Sequence, residues 1–117
     1  MNDYKMAPKS VAKLFPVAEK FNMTDMVQYA DGSVVSKIVI RNERGNITLF
    51  AFDKGEFLSE HTAPFDAIVQ ILDGDANIVI DGKYYQLQKG ESIIMPANVP
   101  HAVQAIEKFK MLLTMIK

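Results

Sequence analysis

Residues 90–101 read Gly-Glu-Ser-Ile-Ile-Met-Pro-Ala-Asn-Val-Pro-His, and residues 55–61 read Gly-Glu-Phe-Leu-Ser-Glu-His. Both stretches open on a glycine and close on a histidine, and His61 and His101 are the only two histidines of the chain. Imidazole titrates near neutral pH and binds metal ions through either ring nitrogen. These two positions are therefore the first candidates for a functional site.

The residues around these stretches predict an all-β protein. From Ser33 onward, short runs rich in β-branched and aromatic residues alternate with turn signals. The strongest signal is Asp81-Gly82, which is typical of a two-residue hairpin, and Asp73-Gly74 predicts another break. Short strands at this spacing indicate a β-sandwich or barrel. The predicted strands are residues 33–41, 47–52, 67–72, 76–80, 83–88, 92–95, 101–105 and 108–116.

Alternation along the strands separates inward from outward side chains. Along residues 83–88, Tyr85 and Leu87 face one way and the polar residues the other, which predicts a hairpin with one face in water. The last predicted strand and the first two are apolar on both faces. Their second face is expected to lie against the opposite sheet, the N-terminal segment or a second copy of the chain. Lys110 and Lys117 are predicted to be solvated.

The first 22 residues differ from the rest of the chain. They contain two prolines around a short helical pattern in which Val11, Leu14 and Phe15 share one face. We predict an N-terminal extension, residues 1–22, that packs on the barrel or on a partner subunit. A single barrel domain, residues 23–117, is expected to follow it.

Composition excludes several classes of function. The chain has 13 Lys and Arg against 14 Asp and Glu, a net charge of -1, and no basic cluster, which argues against nucleic-acid binding. No stretch approaches the ~20 consecutive apolar residues of a membrane span, and the N-terminus lacks the apolar core of a signal peptide. A cytoplasmic protein without membrane contact is expected. The absence of cysteine excludes disulfides, thiolate metal sites and a cysteine nucleophile.

The two stretches that end on histidine resemble the two signature motifs of the cupin family. The first motif is Gly-x5-His-x-His-x3-Glu-x6-Gly, which the chain matches at Gly55, His61 and Gly74. Ala63 and Ala67 stand in place of the second histidine and the glutamate. Two of the four metal ligands of the family are therefore missing.

The second motif, Gly-x5-Pro-x-Gly-x2-His, is matched at Gly90, Pro96 and His101, with Asn98 in place of the internal glycine. Asparagine tolerates left-handed backbone angles better than most residues, so this departure is mild. The resemblance implies a double-stranded β-helix, or jelly-roll, barrel with a short N-terminal extension. It also favours a homodimer.

In the cupin family, three histidines and a carboxylate hold a divalent ion such as iron, manganese, nickel or zinc. Because only His61 and His101 remain here, the resemblance implies either a weakly bound divalent metal or a metal-free pocket. Asp66 precedes the missing glutamate position by one residue, and strand alternation turns it to the other face. Three further candidate ligands are out of phase for the same reason: Glu60, Gln70 and Gln104.

By this resemblance the two histidines converge on one largely apolar pocket. We expect a protein that binds a small organic ligand, with His61 and His101 as polar anchors. One alternative is a metal-dependent enzyme of the dioxygenase, isomerase or decarboxylase type with an incomplete two-histidine site. Another is an interaction protein whose pocket is vestigial. The expected lining of the pocket is His61, Ala63, Ala67, Val69, Met95, His101 and Met111.

Overall fold

The computed structural model describes residues 15–117, which form eight strands after one short 3₁₀ helix, Met23–Met26. Val11 and Leu14 of the predicted helical pattern lie outside the described residues. No helix among residues 15–117 is long and apolar enough to cross a membrane. The strands are β1 (Val34–Asn42), β2 (Gly45–Phe52), β3 (Phe57–His61), β4 (Asp66–Ile80), β5 (Lys83–Gln88), β6 (Ser92–Met95), β7 (His101–Gln104) and β8 (Phe109–Ile116).

The strands form two sheets that share β4, and neighbouring strands are antiparallel throughout. Sheet A has the order β1-β2-β8-β4-β6. Sheet B has the order β5-β4-β7-β3. Residues 66–74 of β4 pair in sheet A, and residues 75–80 pair in sheet B. This arrangement confirms the predicted all-β, jelly-roll fold. It adds β3, a strand that the prediction did not contain.

The long strand β4 is continuous over 15 residues, so the predicted break at Asp73-Gly74 is wrong. A register shift between Ile71 and Asp73 and a positive φ of 80° at Gly74 bend the strand from sheet A into sheet B. A Cβ atom at Gly74 would overlap the carbonyl oxygen of Lys108. The Asp-Gly pair marks a bend here rather than a chain reversal, because β8 pairs with this part of the strand.

The predicted hairpin at Asp81-Gly82 is confirmed. Both residues have a positive φ, 51° and 78°, and Ile80 pairs with Lys83 across the two-residue turn. These angles are those of a type I′ turn, whose twist matches that of the flanking strands. The alternation of β5 is confirmed as well, because Leu87 is buried and Tyr85 packs on the core while the other side chains of the strand are exposed.

The main core fills the space between the two sheets. Phe52 and Phe109 are fully buried in it, and their rings stack with centroids 4.5 Å apart and planes 9° apart. Such burial is worth roughly 1.5–3 kcal/mol for each large apolar side chain. The remaining buried members of this core are Ala67, Val69, Ile71, Ala76, Ile78, Leu87, Met95, Val103, Ala105 and Met111.

A second apolar cluster covers part of the outer face of sheet A. Val27, from the segment that precedes β1, is fully buried against Leu49 and Ala51 of β2. Phe15 and Met26 pack on the same cluster. The second apolar face predicted for β2 is thus covered in part by residues that precede β1. Phe15 belongs to the predicted N-terminal extension, whereas Met26 and Val27 lie just after it.

The side chain of Lys110 is buried, contrary to the prediction of a solvated charge. Lys110 is only 8% exposed, its ammonium group donates to the carbonyl oxygen of Thr24 at 2.7 Å, and it lies 5.1 Å from the centre of the Tyr29 ring. The Tyr29 hydroxyl donates to Asp73 at 2.5 Å. The N-terminal segment folds back over β8, and this cover gives the lysine its partners.

Candidate functional site

The two histidines meet at one end of sheet B. His61 is the last residue of β3, His101 is the first residue of β7, and the two are cross-strand partners. A register shift between Leu58 and His61 brings them opposite each other. His101 is 7% exposed and shares the inner face of β7 with Val103, whereas His61 is open to solvent. The pair therefore has one buried ring and one accessible ring.

Both imidazole rings are held by backbone carbonyl groups. Nδ1 of His61 lies 2.8 Å from the carbonyl oxygen of Ser59, and Nδ1 of His101 lies 3.1 Å from that of Val99. A carbonyl oxygen only accepts hydrogen bonds, so these two contacts favour the tautomer that carries the ring proton on Nδ1 and a lone pair on Nε2. The two Nε2 atoms are 3.2 Å apart. Two lone pairs thus converge on one point, which a proton, a hydrogen-bond donor or a metal ion can fill.

The backbone before each histidine is fixed by contacts between two loops. Asn98 has a φ of +65°, as expected for a residue in the position of the family glycine, and its amide donates to the carbonyl oxygen of Ala63 at 2.7 Å. The amide of Ala97 donates to Asp66 at 2.8 Å. Asp66 therefore braces the turn that leads to His101. Ala63 lies in the loop between β3 and β4, so the strand alternation assumed for it is wrong.

The other predicted lining residues are part of the main core. Ala67, Val69, Met95 and Met111 are each at most 5% exposed and pack in the cluster between the sheets. Ala67 and Met95 are cross-strand partners in sheet A. The structure thus brings His61 and His101 together at the end of sheet B and places these four side chains within the packed interior.

Lys83 is a candidate site residue that the sequence interpretation missed. It pairs with Ile80, and Ile80 pairs with His101, so Lys83, Ile80, His101 and His61 form one row across the inner face of sheet B. We call this row the histidine end of sheet B. The Asp81-Gly82 hairpin predicts the pairing of Lys83 with Ile80. The pairing of β4 with β7 has no local signal in the sequence.

The geometry of the pair also fits two adjacent positions around a divalent ion. With metal–nitrogen bonds of about 2.05 Å, the Nε2–Nε2 separation of 3.2 Å corresponds to a nitrogen–metal–nitrogen angle of about 100°. That angle lies between the octahedral and tetrahedral values. Residues 15–117 contain no group of three His, Cys, Asp or Glu side chains that could hold a metal. The remaining positions around an ion would fall to a bound ligand or to water.

The environment of His101 disfavours its charged form. Burial lowers the pKa of His101 below its usual value, and the neighbouring His61 lowers it further. The hydrogen bond to the carbonyl of Val99 raises the pKa, but its effect is smaller than that of burial. The buried ring is thus held neutral near neutral pH, with Nε2 available as an acceptor.

This pKa shift predicts a loss of stability on acidification. Between the pKa of His101 in the folded state and its ordinary value of about 6.5, the unfolded chain binds a proton that the folded chain does not. The free energy of unfolding is therefore expected to be highest above pH ~6.5 and to fall as the pH is lowered through that value. Urea denaturation of chelator-treated protein across this range measures the effect.

The matched variant for this prediction is His101→Gln, which keeps a polar side chain but does not titrate. It is expected to flatten the pH dependence, and an unchanged slope in the variant would contradict the assignment. Asp53 does not interfere, because hydrogen bonds from the amides of Gly32 and Lys54 lower its pKa. Its contribution changes only below pH ~4.

The comparisons with known proteins agree with this fold. A family model described as "Cupin domain" matches residues 48–117. A conserved protein of unknown function from Streptococcus pyogenes, SPY1581, is 36% identical over 90% of this chain and 92% of its own, with a TM-score of 0.85. A cupin superfamily protein from Desulfitobacterium hafniense is 28% identical over 89% of this chain and 95% of its own, with a TM-score of 0.83.

A third solved structure is a cupin 2 conserved barrel domain protein from Leptotrichia buccalis. It is 45% identical over 83% of this chain, with a TM-score of 0.81, and the chain spans 47% of its length. No curated protein matches this chain. Because the family model covers more than half of the residues and includes both histidine motifs from β2 to the C-terminus, the chain belongs to the cupin family.

Proposed function

We propose that this protein binds a small organic ligand at the histidine end of sheet B, with His61 and His101 as its polar anchors. The observation that carries the proposal is the convergence of two Nε2 lone pairs 3.2 Å apart, each fixed by a carbonyl group on Nδ1. A hydroxyl or amine group of a ligand can reach both acceptors at an ordinary hydrogen-bond distance of about 2.9 Å. A ligand reaches the site from the side of His61, which is exposed to solvent. Buried His101 is the stronger hydrogen-bond acceptor because less water surrounds it.

Native mass spectrometry of protein purified without a tag tests this proposal. The wild type is expected to carry a small-molecule mass that is released on denaturation, and His61→Ala/His101→Ala is expected to lose it. Tyr84→Ala, on the outer face of sheet B, serves as the matched control and should retain it. A bound mass that persists in the double variant would contradict the proposal. A wild type without any such mass would instead favour an interaction protein with a vestigial pocket.

A second candidate function is a metal-dependent enzyme, which the angle of about 100° between the two imidazole nitrogens favours. His61 and His101 would hold the ion, and a bound divalent metal would supply a Lewis acid at the same point. Elemental analysis separates the two candidates. A near-stoichiometric metal in the wild type that disappears in His61→Ala/His101→Ala would favour the enzyme, whereas metal-free wild-type protein would favour direct ligand binding.

We also propose that the protein forms a homodimer through the uncovered part of the outer face of sheet A. Successive cross-strand partners there form an apolar row across all five strands. Ile94 and Ile40, at its two ends, are 62% and 58% exposed. A depression between β1, β2 and β8 continues the row and is lined in part by Ile116, which is 66% exposed. The members of this isoleucine row are Ile94, Ile68, Thr114, Ile47 and Ile40.

The size of the isoleucine row limits the strength of the dimer that it can form. Five strands spaced by about 4.8 Å span about 19 Å, and an eight-residue strand runs about 26 Å, which gives about 500 Å² for the whole outer face, part of which the second apolar cluster already covers. A stable interface buries about 800 Å² of accessible surface on each partner. The row alone is smaller than this, so a two-fold contact of the row with itself predicts a dimer that dissociates on dilution.

Sedimentation velocity over a range of concentrations tests the dimer. Ile94→Lys places a charge in the row and is expected to weaken association by at least about tenfold, because an interfacial charge would lose its water without gaining a partner. Tyr84→Lys is the control, since Tyr84 is similarly exposed, 60%, on the outer face of the other sheet. Equal behaviour of the two variants, or a wild type that is monomeric at every concentration, would contradict the proposal.

A further inference from the structure

The histidine end of sheet B places three kinds of side chain on one surface: a cation, an aliphatic group and two imidazole rings. Its members are Lys83, Ile80, His101 and His61. Direct pairing across four strands places a cation at one edge, an aliphatic side chain next to it and two imidazole acceptors beyond. Ile80 and Tyr85 are both half-buried against the main core, so the surface between the lysine and the histidines is apolar. A ligand that fits this row must carry groups complementary to these side chains, in the same order.

Lys83 carries a charge that no carboxylate in the described part of the chain neutralises. No carboxylate among residues 15–117 lies within ion-pair distance of its ammonium group, and the only ion pair in that part of the chain joins Lys54 to Glu107. The ammonium group lies 5.3 Å from the centre of the Tyr85 ring. A cation–π contact of this kind holds a lysine in place without consuming its charge. Lys83 is thus positioned to bind an anion.

The histidine pair requires the opposite kind of partner. With Nδ1 of both rings donating to carbonyl groups, each Nε2 is an acceptor, so a carboxylate placed there would face two lone pairs. A hydroxyl group of a ligand satisfies the pair because it donates. The two ends of the row therefore select different groups of the same molecule.

We infer that the ligand is a small hydroxycarboxylate, whose carboxylate binds the ammonium group of Lys83 and whose hydroxyl donates to Nε2 of His101 or His61. This inference rests on the proposed function, because it names the ligand class of the same site. The aliphatic part of the ligand lies over Ile80, between the two polar groups.

The spacing of the strands limits the length of this ligand. Lys83 and His101 are separated by two strand spacings, about 10 Å between their Cα atoms. The lysine stem and the imidazole ring both extend beyond their Cα atoms, so this spacing sets the scale of the ligand and not an exact length. A hydroxycarboxylate of about four carbon atoms, with the hydroxyl two positions from the carboxylate, is within that scale.

A titration followed by two-dimensional ¹H–¹⁵N NMR tests the inference with three probes. The first probe is 3-hydroxybutyrate; butyrate lacks its hydroxyl, and 1,3-butanediol lacks its carboxylate. We expect saturable shifts at the histidine end with 3-hydroxybutyrate and affinities at least about tenfold weaker with each of the other two, the loss expected for one hydrogen bond to a charged group or to a buried acceptor. Butyrate binding as tightly as 3-hydroxybutyrate would overturn the inference.

Three variants show which part of the account fails. Lys83→Met keeps the aliphatic stem and is expected to weaken 3-hydroxybutyrate by at least about tenfold while leaving 1,3-butanediol unchanged. Lys89→Met removes an exposed lysine outside the row and should change neither. An unaltered affinity in Lys83→Met, or no saturable shift in the wild type with any probe, would overturn the assignment of the ligand class. A wild-type affinity in His61→Gln/His101→Gln would instead overturn the proposed function.

Discussion

Replacing Gly74 by alanine is expected to cost the protein most of its stability. Gly74 has a φ of +80°, and an added Cβ would overlap the carbonyl oxygen of Lys108 and lie 2.8 Å from Cα of Phe109. The obstacle is backbone of a paired strand, so neither partner can move without breaking the β4–β8 ladder. We expect a loss of about 4 kcal/mol or more, against the 5–15 kcal/mol that holds a typical domain folded. Urea denaturation of the purified variant measures it.

Gly90→Ala is the matched control for Gly74→Ala. Gly90 also has a positive φ, +91°, but an added Cβ would meet no atom within 4 Å. It should therefore cost only the backbone strain of an alanine with positive φ, about 1–2 kcal/mol. Similar losses in the two variants would show that strain alone decides, and would contradict the role assigned to the close approach of β8 at the bend of β4.

Truncation of Phe109 to alanine is expected to cost about 3–5 kcal/mol. Phe109 is fully buried, stacks on Phe52 at 4.5 Å and lies opposite Gly74 where the two sheets diverge. Its removal would leave a cavity that the paired strands on either side cannot close. Chemical denaturation with an unchanged dependence on denaturant concentration would give this value directly.

Phe57→Ala provides the comparison for Phe109→Ala. Phe57 is 59% exposed on β3, so its loss should change stability by less than about 0.5 kcal/mol. If Phe109→Ala proved as mild as Phe57→Ala, the core between the sheets would not be the main source of stability. A double-mutant cycle with Phe52→Ala would then report how much of the loss belongs to the stacked pair.

Much of the fold could be predicted from local signals and family motifs. The Asp81-Gly82 hairpin, the alternation of β5 and the left-handed Asn98 follow from the conformational needs of those residues alone. Asp73-Gly74 carries the same local signal as the hairpin and yet lies inside a strand. The difference between the two Asp-Gly pairs is that β8 pairs with Gly74, and a contact so distant in sequence cannot be inferred from the dipeptide.

The two histidines of the candidate site could be predicted from the sequence, but the residues that surround them could not. His61 and His101 meet because two motifs of one family place them on adjacent strands. The Nδ1 atom of each histidine contacts a carbonyl group only two residues earlier in the chain, so these contacts depend on the local backbone conformation. The alignment of Lys83 with His101 and the burial of Lys110 beneath the N-terminal segment depend on pairings between distant segments. Alternation within one strand says which way a side chain points but not what covers it.

The central claim is that the Nε2 atoms of His61 and His101 are both unprotonated and directed at the same position. Long-range ¹H–¹⁵N NMR of the histidine rings tests it most directly. We predict that in chelator-treated wild-type protein at pH ~8, above the ordinary pKa of histidine, both rings carry their proton on Nδ1 and none on Nε2. Addition of a bound ligand should then shift the Nε2 resonances of both rings together. A proton on Nε2 of either ring at that pH would contradict the account, because that ring would face the point as a donor.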